Sequence, residues 1–306
     1  MSTTPMQNLR LNGILPPVTT PFDAEGRVDY AALESNIARY NETGLAGYVA
    51  LGSNGEAVHL STDERARVIE TIRRAAAPDH TIIAGINELS TRAALEATLA
   101  AADCGAEAAL VITPYYYKSA MTQEAFIRHF SELADASPIP ILIYNFPQST
   151  GVTIEPATIA RLAAHEKIVG VKDSSGNMGA VAETIRRAPA GFAVMTGNGG
   201  IIYPSLLMGA TGAILAVACV APRPCVELYK AAMAGDHERA RELQNRIAPL
   251  SQIVTAALGV PGLKASLEMA GFAGGSPRLP LLAVSDADRA RIKTVMRETG
   301  LFSEME

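Results

Sequence analysis

The sequence predicts a (β/α)8 TIM barrel with a C-terminal helical extension. Three observations predict it. From Leu11 onward, short apolar runs alternate with longer amphipathic stretches. Eight such runs occur before the pattern changes, and beyond Asp236 only helical periodicity continues. Runs apolar on both faces suit parallel strands covered by helices. Eight strands, each followed by a helix, close most economically into a barrel. An open, doubly wound sheet satisfies the same periodicity and stands as the alternative.

The strands are expected at 14–18, 47–51, 81–84, 108–112, 141–144, 168–171, 192–195 and 212–216. Asp29 opens the first helical stretch and Gly44 ends it. Ser61 opens the second, with Glu64 three residues on as the partner of a capping box. Helical segments follow at 91–104, 122–136, 155–164, 179–187 and 201–208, and 224–234 supplies the last barrel helix. Residues 1–235 thus form the barrel. Residues 236–306 form a helical region, with helices at 237–256, 262–269 and 286–299 and a Gly/Pro break at 271–280. A structural or oligomeric role is expected for that region.

Composition narrows the function. The 306 residues are 48% hydrophobic and 19% charged, which is enough for a true core. The net charge of -5 comes from interspersed charges with no basic stripe, which argues against a nucleic-acid partner. The apolar run 209–221 is too short to cross a membrane and better suits a buried strand. The N-terminal stretch 1–13 lacks the apolar core of a signal peptide. Cys104, Cys219 and Cys225 lack metal-ligand spacing and read as free thiols, which places the protein in the cytoplasm.

Barrels do their chemistry at the carboxyl ends of their strands. That rule selects Gly52-Ser53-Asn54-Gly55-Glu56, Thr113-Pro114-Tyr115-Tyr116-Tyr117-Lys118, Tyr144-Asn145, Lys172-Asp173 and Gly197-Asn198-Gly199. Lys172 ends the apolar run Ile168-Val169-Gly170-Val171, where an ammonium is costly unless it is paired, exposed or used. It reads either as a salt-bridged or snorkelling lysine near a loop or as an amine that attacks a ketone to form an imine. Tyr144 reads as a packing residue with a wetted hydroxyl or as a phenol that moves a proton. Ser53 and Asn54 could present N–H groups and short polar side chains to an anion, or only shape a turn. Tyr115-Tyr116-Tyr117 suits a packed loop or a subunit interface. His59, His80, His129, His165 and His237 are scattered, so no metal is expected, and no Gly-Lys-Ser/Thr follows the glycine turn at 52–55, so no nucleotide-type cofactor is expected.

Taken together, G-S-N-G-E at 52–56, T-P-Y-Y-Y at 113–117, Y-N-F-P at 144–147 and G-V-K-D-S at 170–174 resemble the dihydrodipicolinate synthase/N-acetylneuraminate lyase superfamily of class I aldolases. The resemblance runs from about Asn12 through the C-terminal helices. It implies that Lys172 forms the imine with a small 2-oxo acid and that Tyr144 relays the proton. It further implies that Ser53 and Asn54, beside Gly52, take the pyruvoyl carboxylate, and that Tyr116 approaches a neighbouring subunit's site. Ser149, Gly197 and Asn198 would line the substrate cavity, no cofactor would be needed, and the assembly would be a homotetramer built from tight dimers.

Where the synthase pattern carries an arginine that receives the aldehyde partner's carboxylate, this chain has Ser149. A serine cannot replace that bidentate fork. The expectation is therefore a closer resemblance to 4-hydroxy-2-oxoglutarate aldolase, which also shares S-P-I-P at 137–140, Gly262-Leu263-Lys264 and Gly274-Gly275. The implied reaction is cleavage to pyruvate and glyoxylate. A 2-keto-3-deoxy sugar acid aldolase or dehydratase, and a non-catalytic binding barrel, are the alternatives.

Overall fold

The computed structural model describes residues 9–302, so most of the N-terminal stretch read for a leader lies outside the described residues. Eight parallel strands form one sheet: β1 (Gly13–Leu15), β2 (Gly47–Ala50), β3 (Thr81–Ile86), β4 (Ala108–Ile112), β5 (Ile141–Asn145), β6 (Ile168–Asp173), β7 (Ala193–Thr196) and β8 (Gly212–Ile214). From β2 to β8 each strand pairs with its sequence neighbours, and β8 returns to pair with β1. The sheet closes between β1 and β2. There the Ala46 N–H donates to the Ile14 carbonyl at 3.0 Å and the Val49 N–H to the Pro16 carbonyl at 3.0 Å. This closed ring is the expected barrel.

The first strand is shorter than 14–18 for a chemical reason. Pro16 and Pro17 have no N–H to give the ladder. Their stretch pairs through an isolated bridge from Pro17 to Val49, in which the Pro16 carbonyl accepts the Val49 N–H and the Val18 N–H donates to the Val49 carbonyl. The run 209–221, expected as a single buried strand, divides into β8 and a short helix at 217–220.

The helices, in chain order, are α1 (Tyr30–Asn41), α2 (Thr62–Ala75), α3 (Thr91–Asp103), α4 (Gln123–Ala136), α5 (Pro147–Thr150), α6 (Pro156–Leu162), α7 (Met178–Arg187), α8 (Ile202–Leu207), α9 (Val217–Val220), α10 (Pro222–Met233), α11 (His237–Ser251), α12 (Gly259–Met269) and α13 (Asp286–Thr299). The capping box forms at α2: the Glu64 N–H donates to Ser61 Oγ at 3.2 Å, and the Ser61 N–H donates to the Glu64 carboxylate at 2.9 Å. The single helix expected over 237–256 is instead α11 followed by a π-helical turn, Gln252–Ala257. Pro249 gives no N–H to the ladder, and the Thr255 hydroxyl donates to the Ser251 carbonyl.

Two apolar layers result from the two-residue period of the strands. Inside the barrel lie Leu15, Val49, Ile83, Leu110, Leu142, Tyr144, Met195 and Ile214. Their neighbours Val111, Ile143, Val171 and Val194 face the surrounding helices. Among the described residues, no helix is long and apolar enough to cross a membrane.

Candidate active site

The parallel register sets Tyr144 beside Lys172 and Asn145 beside Asp173. Ile143 and Val171 face outward, so the alternation turns Tyr144 and Lys172 inward at the carboxyl end of the barrel. The Lys172 ammonium lies 4.0 Å from the centre of the Tyr144 ring, and the side chains are 5% and 4% exposed. Phe146 stacks on Tyr144 with centroids 5.5 Å apart. Among the described residues, no carboxylate is ion-paired with Lys172.

Asp173, the adjacent carboxylate, is engaged elsewhere. It accepts from Asn145 Nδ2 at 2.7 Å and from the Ser175 N–H at 2.9 Å. An ammonium this buried and unpaired carries a desolvation cost that ordinary packing does not explain. Among the described residues Lys172 has no salt bridge, and its burial leaves no head group snorkelling into water.

Lys172 and Tyr144 open into a cavity of about 470 Å³, which Ser53, Asn54, Ser149, Gly197 and Asn198 also line. Gly197 has a steric reason to be glycine. A Cβ there would sit 2.0 Å from Ser174 Oγ and 2.9 Å from Lys172 Cε. Ser53 and Asn54 lie in a short 3-10 turn, Ser53–Gly55, whose leading N–H groups have no acceptor within the turn. Left-handed residues flank this turn: Leu51 at φ 55° and Glu56 at φ 53°. Non-glycine residues there are strained and persist only where their surroundings hold them.

Two expected site residues fall outside this cavity. Gly52 caps the 3-10 turn from behind, its carbonyl accepting the Gly55 N–H at 2.9 Å. The Tyr116 ring is 71% exposed, against Tyr117 at 5.1 Å, and does not line the cavity of its own chain. Conversely, Ser251, Gln252 and Thr255 line the cavity although the C-terminal region was expected to be only structural or oligomeric. Pro249 and Gly259 were the available signals, since they bracket the π-helical turn that brings these side chains in. Among the described residues, Lys172 is the one charged side chain lining the cavity. Another cavity, of about 480 Å³, lies between α2 and α3, where Arg65 is ion-paired with Glu88; it contains no Lys172-like amine.

The matching family model, the dihydrodipicolinate synthetase family, spans residues 10–299. The chain belongs to the dihydrodipicolinate synthetase family. A 4-hydroxy-tetrahydrodipicolinate synthase of Methanothrix thermoacetophila is 38% identical over 285 residues, covering 93% of this chain and 95% of the relative. A synthase of the same name from Methanopyrus kandleri is 37% identical, covering 96% and 98%. The dihydrodipicolinate synthase of Acinetobacter baumannii, solved complexed with pyruvate, superposes with a TM-score of 0.90 at 34% identity, covering 95% of this chain and all of that one. Membership in the dihydrodipicolinate synthetase family makes this chain a pyruvate-dependent class I carbon–carbon lyase.

These relatives correct the expected branch. The closer resemblance to 4-hydroxy-2-oxoglutarate aldolase, and the glyoxylate-forming cleavage drawn from it, do not stand. That assignment rested on Ser149 and a few short shared runs, whereas the identity to named synthases extends over nearly the whole chain. One missing guanidinium removes one way of holding a carboxylate, not the chemistry of the barrel.

Proposed function

We propose that the chain is a 4-hydroxy-tetrahydrodipicolinate synthase that condenses pyruvate with aspartate semialdehyde through an imine on Lys172. The observation that carries the reading is the buried, unpaired Lys172 ammonium against Tyr144 at the barrel mouth. The deprotonated amine adds to C2 of pyruvate, and loss of water gives the iminium. That cation withdraws electrons from C3, whose proton passes to the water just released, leaving an enamine. Enamine C3 bonds to the aldehyde carbon while the aldehyde oxygen takes a proton from the Tyr144 hydroxyl. Attack by the partner's own amine on C2 then closes the ring and frees Lys172. Pyruvate and semialdehyde thus become the cyclic product plus one water.

Ser53 and Asn54 hold the pyruvate carboxylate in this scheme, with Gly197 leaving room beside Lys172 and Asn198 across the cavity. The aldehyde's distal end meets neutral donors, Ser149 among them. The Lys118 side chain lies across Gly151, two residues beyond Ser149; a Cβ on Gly151 would lie 2.8 Å from its Nζ. In a homotetramer of tight dimers, the exposed Tyr116 hydroxyl reaches a neighbouring copy's site. Incubation with both substrates, followed by NMR, tests the assignment. Appearance of the cyclic product supports it; an intact aldehyde, with pyruvate bound, overturns it.

A further inference from the structure

Glu56 and Lys264 form an ion pair that the reaction above does not use. Each side chain is 1% exposed, and Lys264 Nζ lies 2.6 Å from Glu56 Oε1. The contact is a close ion pair rather than an aligned hydrogen bond, because among the described residues Oε1 has no hydrogen-bond donor of proper geometry. Glu56 Oε2 accepts the Arg278 N–H at 2.9 Å and lies 3.2 Å from His59 Nδ1. Lys264 Nζ also donates to the Ser276 carbonyl at 2.9 Å and sits 4.3 Å from the centre of the Phe22 ring. Burial pulls the Lys264 pKa down, and the Glu56 carboxylate opposes that shift.

The position of the pair gives it meaning. Glu56 directly follows the turn that carries Ser53 and Asn54, and it is itself one of the two left-handed non-glycine residues there. Lys264 belongs to α12, whose first residues, Gly259 and Val260, line the Lys172 cavity. One helix therefore walls the cavity and, a turn later, grips the base of the turn facing Lys172.

We propose that the Glu56–Lys264 pair is a positioning device: the C-terminal region sets the height of Ser53 and Asn54 above Lys172, and so the affinity for the substrate carboxylate. This rests on Ser53 and Asn54 being the carboxylate site. Neither Glu56 nor Lys264 touches substrate. Removing one partner leaves a buried charge uncompensated, whereas removing both leaves none. The pair should thus act as a unit, non-additively.

The test measures borohydride trapping on Lys172 against concentration for two ketones, pyruvate and acetone, which lacks the carboxylate. Lys264→Met should raise the half-saturating pyruvate roughly tenfold, equivalent to ~1.4 kcal/mol. It should leave acetone trapping and kcat at saturation within about threefold of the parent. The double variant Glu56→Gln/Lys264→Met should recover part of the loss, and it keeps the proposal testable if the single variant does not fold. Unchanged pyruvate affinity in the folded variants, or equal losses for both ketones, would overturn the proposal. Ser53→Ala is the separate control. If it leaves pyruvate trapping unaltered, the carboxylate assignment itself fails, whatever the pair does.

Discussion

An ammonium taken out of water costs several kcal/mol unless something compensates it. At Lys172 the compensation is the Tyr144 ring face and the polar cavity rather than a carboxylate. The position was legible in the sequence because a lysine closing the apolar run 168–171 conflicts with its surroundings, and such conflicts gather at functional sites. Tyr144 was legible only by its place on the adjacent strand, since a strand-end tyrosine has an equally ordinary packing role. Their roles separate experimentally. Tyr144→Phe should still form the pyruvate imine but lose about 10² to 10⁴ in kcat, the usual worth of a positioned acid–base group; loss of imine formation as well would assign the phenol a different step. Ser149 is the instructive misreading: a single side chain was weighed against a whole-chain pattern. Ser149→Arg places a guanidinium at the cavity wall and should lower KM for aspartate semialdehyde, with pyruvate KM unchanged, in steady-state kinetics. An unaltered aldehyde KM would mean that the distal carboxylate binds elsewhere.

At the scale of elements, the strand ends carried most of the information and the connections least. The alternation that turns Tyr144 and Lys172 inward was visible as sequence periodicity. The π-helical turn was not, because nothing in a two-letter apolar pattern distinguishes a widened turn from a continuing helix. The strands also set tolerances. Gly197→Ala would drive a methyl into Ser174 and the Lys172 stem, so imine formation should slow by at least about tenfold while the barrel remains folded. Wild-type trapping rates in that variant would show that the loop can shift without consequence.

On α4, His129 is buried, bound through Nδ1 to Thr91 Oγ1 at 2.9 Å, and its Nε2 has no partner among the described residues. Burial lowers its pKa to about 4, with Glu132 opposing. The unfolded chain, with an ordinary histidine near pH 6.5, therefore takes up the proton first as pH falls. Stability contributed by neutral His129 is fully present above about pH 6.5 and is lost progressively down to pH 4. The shift corresponds to ~3 kcal/mol at most. His129→Gln should flatten the urea-midpoint profile across this window; an unchanged profile would assign the acid sensitivity to other groups.

Over the whole molecule, the barrel and the C-terminal helices act on one cavity. Gln244 on α11 donates to the Gly199 carbonyl at 2.9 Å and accepts the Tyr203 N–H at 2.8 Å, fastening the loop after β7. Arg278, with two hydrogen bonds to Glu64 at 2.7 and 2.8 Å, fastens the chain before α13 to the start of α2. These contacts join residues from about forty to more than two hundred positions apart in sequence and have no local signature, so the barrel could be read from periodicity while the covering of its mouth could not. The most direct measurement of the central claim is borohydride reduction of the protein in the presence of pyruvate, followed by peptide mass mapping. The account predicts a single reduced pyruvoyl adduct on Lys172, absent from Lys172→Ala. No adduct in folded protein, or an adduct on another lysine, would contradict it.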